Sequence, residues 1–367
     1  MATDLLSADT ATTAGAAVRS GEALPQKGSV PVDVSATDSG DNTDRGLRID
    51  AASKNEEGQG GYKFTSEDSG SVEGRAAGSR LWSDLLQLTK PRIVVMILVT
   101  TCATAMIGAS GLVNAGTLFW LLLGTAAIAG SAGASNQIWE RVIDSRMTRT
   151  ANRPISSGRM SPTPAVIFAT VLGVIGTAIL AYRFGVTPAA VGVATWLLYV
   201  LVYTPMKVRT AWNTTVGAIA GAIPVLIGYT AAGGLLTDGT GWLLVGVLVA
   251  WQYPHFMAIA WMYRRQYQEA GFKMTTTEEP TGRSAGWQSI VGSAVLIGMG
   301  VTLCWLPLGI TGAIVGSIAV IAAAWPMLLA SIRFANSPDD KSARKLLRSS
   351  LLVLPAVLAV VTLRLFW

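Results

Sequence analysis

Three oxygen-bearing side chains recur at intervals of four in the segment Asn136-Gln-Ile-Trp-Glu140-Arg-Val-Ile-Asp144. On a helix that spacing lines them up along one stripe, each step rising about 6 Å. Two carboxylates and an amide so arranged are hard ligands for Mg²⁺, which commonly binds through one or two carboxylates together with substrate phosphates. A polar helix end leaving a membrane would show the same residues. Acids at the edge of a bilayer are costly, however, and function is their default explanation.

Arginines follow at once: Arg146, Arg149 and Arg153, then Pro154 and the turn Ser156-Ser157-Gly158-Arg159. Guanidinium groups present planar forks of donors to phosphate oxygens. Metal-type acids beside phosphate-type arginines suit a diphosphate better than they suit a simple loop. Lys207 and Arg209 would add to the same pocket, or serve only as loop charge that sets orientation. His255, the single histidine of the chain, lies in the apolar run around Pro254-His255-Phe256. Buried histidines are commonly hydrogen-bonded packing residues, but placing one in a membrane core is expensive, which keeps a functional role open.

These residues need a membrane scaffold to hold them. Of 367 residues, 51% are hydrophobic and 14% charged, where soluble domains carry roughly 25% charged residues. Nine apolar runs, each long enough to span a bilayer, cover about residues 92–109, 117–138, 163–182, 187–204, 213–233, 241–262, 287–307, 309–331 and 347–366. The seventh and eighth are parted only by Pro307-Leu308-Gly309. Small-residue pairs such as Gly217 and Gly221 allow helix backbones to approach closely in lipid. Cys102 and Cys304 both fall within apolar runs, so they read as packing residues and imply no disulfide framework.

Charge is segregated along the chain. Residues 1–80 hold thirteen acids and eight bases, and residues 81–367 hold nine acids and twenty bases. The first segment, rich in small and polar residues, cannot bury enough apolar surface to offset its ordering entropy and reads as a disordered tail. Its start lacks the basic and apolar regions of a signal peptide, and its acids argue against a transit peptide. The breaks after the second, fourth, sixth and eighth runs hold sixteen lysines and arginines, whereas the intervening breaks hold Arg183 alone. That bias predicts cytoplasmic long loops and N-terminus, with the C-terminus outside. Bases confined to short loops between apolar runs are a membrane pattern, and no nucleic-acid partner is expected.

The sequence resembles the protoheme IX farnesyltransferases (heme O synthases) of the UbiA-type intramembrane prenyltransferases over about residues 82–367. The resemblance rests on Leu88-Thr-Lys-Pro-Arg92, the Asn136–Asp144 segment, Arg149-Thr-Ala-Asn-Arg153-Pro154 and Tyr203-Thr-Pro-Met-Lys207-Val-Arg209. Gly221-Ala-Ile-Pro224, Pro254-His255-Phe256 and Tyr267-Gln-Glu-Ala-Gly271-Phe272-Lys-Met274 complete it. It implies an all-α bundle of nine transmembrane helices around a central cavity in the cell (inner) membrane. Farnesyl diphosphate and heme B are the implied substrates, with Mg²⁺ on two acidic motifs and a heme A synthase as candidate partner. Asn136, Glu140 and Asp144 match the first motif and would be catalytic metal ligands. Arg149, Arg153, Lys207, Arg209 and Arg264 would bind diphosphate, and His255 would contact the porphyrin or its iron. The second motif normally carries an acid just before the tyrosine matched by Tyr267, but here that place reads Arg265-Gln266. Glu269, Glu278 and Glu279 lie nearby, and Glu279 is the best substitute for that acid. A quinone-type aromatic acceptor is the alternative for the same chemistry. A transporter, the rival from another class, should break its helices near midplane, whereas these acids gather at one face.

Overall fold

The computed structural model describes residues 80–306 and 309–363. The tail of residues 1–79 and the Pro307-Leu308 boundary lie outside the described residues.

All regular structure among the described residues is helical, and nine helices are long and apolar enough to cross a membrane. A short helix, α1 (residues 80–88), leads to α2 (Pro91–Gly108), α3 (Ala115–Asp144) and α4 (Pro162–Phe184). The fourth span begins as α5 (Val186–Leu197), passes through a π-helical turn over Leu198–Tyr203 and ends as α6 (Thr204–Met206). The fifth is broken into α7 (Asn213–Ala222) and α8 (Pro224–Ala231). The sixth, α9 (Gly239–Met262), is followed by the short helices α10 (Arg264–Glu269) and α11 (Thr275–Glu278). Then come α12 (Arg283–Trp305), α13 (Ile310–Asn336) and α14 (Asp340–Leu363). The chain is a multi-pass membrane protein.

Each of the nine apolar runs has become a span, with ends shifted by a few residues. The instructive shift is in α3, which runs to Asp144 rather than stopping near 138. The polar stripe is thus a rigid continuation of a transmembrane helix. Its spacing of four is realised as a ladder rather than scattered over a loop.

One helix break has an identifiable cause. Pro224 has no N–H for the ladder, and α7 gives way to α8 there. Polar side chains from neighbouring helices reach carbonyls around the break: Thr104 Oγ1 donates to Val225 O at 3.0 Å and Gln252 Nε2 to Ala218 O at 2.9 Å. Pro254 sits inside α9, and Gly292 of α12 lies directly against it. A Cβ on Gly292 would stand 2.8 Å from Ala250 O and 2.9 Å from Pro254 Cδ. Gly217 likewise gives room to the Tyr203 ring, which a Cβ would meet at 2.6 Å. Cys304 is fully buried near Gly316.

The closest of these approaches is α2 against α8, where Gly228 packs on the backbone at Thr101 and the hydroxyl of Thr104. Gly228→Ala should therefore overpack the helix pair and lower stability by about 1–3 kcal/mol. Gly298→Ala should be neutral or slightly stabilising, since nothing lies within 4 Å of its Cβ position. Thermal melts of the detergent-solubilised variants would separate the two, and equal melting temperatures would refute this account of the packing.

Candidate functional site

The end of α3 buries its polar stripe almost completely: Asn136 is 1% exposed, Glu140 4% and Asp144 1%. Each member meets a cation from a different segment. The Lys90 ammonium, just before α2, donates to Asn136 Oδ1. Lys207, just after α6, donates to Glu140 Oε1 at 2.6 Å. Arg153, in the turns after α3, donates to Asp144 Oδ2. The arrangement is a three-rung ladder of oxygen ligands on one side and nitrogen donors on the other. Unpaired charges would be expensive here, and two rungs pair opposite charges, Glu140 with Lys207 and Asp144 with Arg153, whereas the Lys90 ammonium meets the neutral amide of Asn136.

The rungs are held by a ring of aromatic and backbone contacts. Lys90 occupies a left-handed conformation (φ 57°, ψ 61°), which turns the chain into α2. Its ammonium lies 3.5 Å from the Tyr199 hydroxyl. Lys207 stands 4.6 Å from the centroid of the Tyr203 ring, and Asn136 Nδ2 donates to Thr204 Oγ1 at 3.0 Å. Tyr199, Tyr203 and Thr204 all come from the π-helical turn or its exit, and such turns recur at functional sites because they re-aim side chains. Arg149 packs 4.6 Å over Tyr263 and donates to the Tyr267 hydroxyl at 3.1 Å. That contact ties the turns after α3 to α10. Lys273 N donates to Lys207 O at 2.7 Å, and Asn213 Nδ2 donates to Lys273 O at 2.6 Å. Three polar connections therefore close over one end of the bundle.

Charge states follow from these neighbours. Burial, reinforced by the charges of Arg153 and Lys207, pushes the Lys90 ammonium down to about 7. Burial also works against the charge of Lys207, but the Glu140 carboxylate outweighs it and holds Lys207 above the usual lysine range. A cation cluster this dense is short of negative charge, and it is suited to an added anion.

The other expected residues lie elsewhere. Arg209 is exposed on its loop. Arg264 turns to Asp340 at 2.8 Å and stacks 4.4 Å over Trp261. Glu279 is slightly buried, but hydrogen bonds from Thr281 and from Ser284 N–H (2.8 Å) hold its carboxyl below the usual range. It acts there as a cap on the start of α12. Gln266, in the place of the second acid, has a buried amide oxygen without a hydrogen-bond partner among the described residues. His255 is partly buried within α9 and bonds to Ser350 of α14. A cleft of about 820 Å³ is lined by residues of α7, α9 and α12, with Trp212, Trp242, Trp287, Glu278 and Glu279 among them. It shares no residue with the ladder.

Sequence reasoning passed over Lys90, Tyr199 and Tyr203 as site residues. Tyr199, Tyr203 and Lys207 repeat at intervals of four, the same signal that exposed the α3 stripe.

The donor chemistry fits Mg²⁺. Asp144 Oδ1 is buried without a hydrogen-bond partner among the described residues. No three His, Cys, Asp or Glu side chains converge among those residues, so an ion here would rest on one or two neighbouring members of the stripe and the oxygens of a bound phosphate.

Breaking one buried rung should be costly. Lys207→Met alone strands the Glu140 charge, with an expected loss of about 3–5 kcal/mol. Adding Glu140→Gln should recover much of that loss. Chemical or thermal denaturation of both single variants and the double variant gives the coupling directly, and strictly additive losses would refute a paired rung.

Comparison with known proteins agrees with this architecture. Residues 97–352 match the UbiA prenyltransferase family. The chain is 61% identical over 284 residues to the protoheme IX farnesyltransferase of Rhodopirellula baltica, covering 76% of this chain and 99% of that one. It is 38% identical to the protoheme IX farnesyltransferase of Salinibacter ruber, covering 76% and 97%. Among solved structures, a UbiA homolog from Archaeoglobus fulgidus bound to GPP and Mg²⁺ shares the fold with a TM-score of 0.58 at 16% identity, over 76% of this chain and 99% of that one. A digeranylgeranylglyceryl phosphate synthase structure aligns with a TM-score of 0.64 at 12% identity, over 77% and 98%. With a buried acid-and-cation ladder on the nine membrane-length helices of its described residues, the chain belongs to the UbiA prenyltransferase family and, within it, to the protoheme IX farnesyltransferases.

Proposed function

We propose that this chain transfers the farnesyl group of farnesyl diphosphate to the 2-vinyl group of heme B, giving heme O. The observation that carries the chemistry is the ladder, in which two carboxylates and an amide face three cations at one end of the bundle. The extensive identity to protoheme IX farnesyltransferases supports heme as acceptor over an aromatic quinone precursor.

Asn136, Glu140 and Asp144 would hold Mg²⁺, whose charge helps neutralise the departing diphosphate; a related fold is solved with Mg²⁺ and GPP together. Lys90, Lys207 and Arg153 exchange their present partners for phosphate oxygens, and Arg149, braced by Tyr263 and Tyr267, adds a further donor. This is stabilisation of charge that develops on a leaving group. As the C1–O bond breaks, its electron pair departs with diphosphate. The terminal vinyl carbon bonds to C1, and water adds a hydroxyl at the neighbouring carbon and releases a proton. Apolar helix walls shield the allylic cation from early capture by water.

The ladder faces the cytoplasm in this reading, supported by the sixteen-to-one loop bias. Single cysteines placed at exposed positions in residues 145–159 and 264–282 should resist an impermeant thiol reagent in intact cells and react after lysis. Modification in intact cells would reverse the orientation.

The activity is tested by expressing the chain in cells unable to make heme O and separating extracted hemes by chromatography. Heme O should accumulate. Asp144→Ala and Glu140→Gln should each lower turnover about a hundredfold or more, corresponding to roughly 2.7–4 kcal/mol of lost transition-state stabilisation. Prenylated quinone precursor without heme O would favour the other acceptor, and wild-type turnover in Asp144→Ala would remove the ladder from the mechanism.

A further inference from the structure

The short helix α1 carries two faces that the ladder does not use. Arg80, Ser83, Asp84 and Gln87 fall at i, i+3, i+4 and i+7, which places them along one helical stripe. Leu81, Trp82 and Leu86 are exposed, Trp82 by 73%. Leu85 and Leu88 instead pack with Ala134 of α3 and with Ala165 and Ala169 of α4.

An exposed tryptophan flanked by leucines would be a liability in water. Here, however, α2 starts at Pro91, α3 ends at Asp144 and α4 starts at Pro162. Gln137 of α3 fixes α1 at that level, its Nε2 donating to Gln87 O at 3.0 Å and to Leu88 O at 3.1 Å. Arg159, just before α4, donates to Asp84 Oδ1 through Nε (3.2 Å) and Nη2 (3.1 Å), and to Gln87 Oε1 at 3.1 Å. The helix therefore lies where spans leave the bilayer. Its exposed apolar residues continue the lipid-facing surface of α2, on which Ile93 and Val95 are also exposed. Tryptophan and leucine on a short amphipathic helix suit that depth.

A cleft of about 790 Å³ adjoins the polar stripe, and Arg80, Ser83, Asp84, Gln87, Arg159 and Ser161 line it. Its charges do not cancel. Asp84 is neutralised by Arg159 at 3.1 Å, whereas Arg80 is exposed and enters no ion pair among the described residues. The hydroxyls of Ser83 and Ser161 make no hydrogen bond among those residues. Arg159 also donates through Nη1 to Ser157 Oγ at 3.0 Å, which leaves it one N–H of five. Surplus donors around one uncompensated guanidinium match the oxygens of a phosphate. Leu81 lines the same cleft, so donors and apolar surface meet there.

We propose that α1 and the start of α4 bind an anionic phospholipid of the adjoining leaflet. Its phosphate rests on Arg80, Ser83, Ser161 and the remaining N–H of Arg159, and its acyl chains lie against Leu81, Trp82 and Leu86. The chain reaches Lys90 two residues after α1, so the lipid braces the connection that presents this ammonium to Asn136.

The test is native mass spectrometry of the full-length, delipidated protein titrated with phosphatidylglycerol and with phosphatidylcholine of the same acyl chains. Wild type should hold phosphatidylglycerol about fivefold more tightly, roughly the effect of one arginine beside an anionic lipid. Arg80→Ala should abolish that preference and Arg80→Lys should retain most of it. Arg344→Ala, which removes an exposed base from α14, should leave it intact. Trp82→Ser should weaken both lipids alike without changing the preference, and excess inorganic phosphate should displace neither. Equal binding of the two lipids by wild type, or a preference that survives Arg80→Ala, would overturn the site. A matching loss in Arg344→Ala would reduce the effect to general surface charge. Displacement by inorganic phosphate would make it a site for free anions, and unchanged binding by Trp82→Ser would remove α1 from the leaflet.

Discussion

Burial of charge at a membrane edge is the constraint around which this molecule is organised. Glu140 and Asp144 are almost wholly withdrawn from solvent at the end of a transmembrane helix. Neither could remain ionised there alone, because desolvation would outweigh any benefit of folding. Arg153 and Lys207 make ionisation possible, and Lys90 donates a hydrogen bond to the neutral amide of Asn136. The three cations come from three different connections. The demand for compensation therefore draws the segments before α2, after α3 and after α6 together. A site assembled in this way sets three basic groups against two carboxylates and favours an added anion. In the proposed function, a diphosphate with its metal would take over both sides of the charged rungs.

The helices had to be irregular to meet that demand. A regular α-helix through Leu198–Tyr203 would present a different register from the π-helical turn that aims Tyr199 and Tyr203 at Lys90 and Lys207. Gly217 supplies the space that the Tyr203 ring needs. Elsewhere, Thr104 and Gln252 add hydrogen bonds to the Val225 and Ala218 carbonyls on either side of the break at Pro224. In lipid, irregular backbone is retained where neighbouring helices satisfy it. On the far side of α9, Trp251 and His255 share Ser350 as their anchor, which gives α14 a part in orienting groups it does not itself carry.

Much of this was legible in the chain itself. Apolar length and composition determine the nine spans, since a segment of about twenty apolar residues has few alternatives to crossing a bilayer. The interval of four in Asn136, Glu140 and Asp144 determines a shared helical face by geometry alone. Tertiary structure decided which cation meets which oxygen, because that depends on where distant connections come together in space. Arg153 and Lys207 took rungs of the ladder, whereas the equally basic Arg264 turned to Asp340 and Arg209 stayed exposed. Glu279, the sequence's best substitute for the missing acid, became a helix cap because the N–H of Ser284 lay within reach. Composition records that charges are present, but low-dielectric packing assigns their partners, and only the folded chain contains that packing.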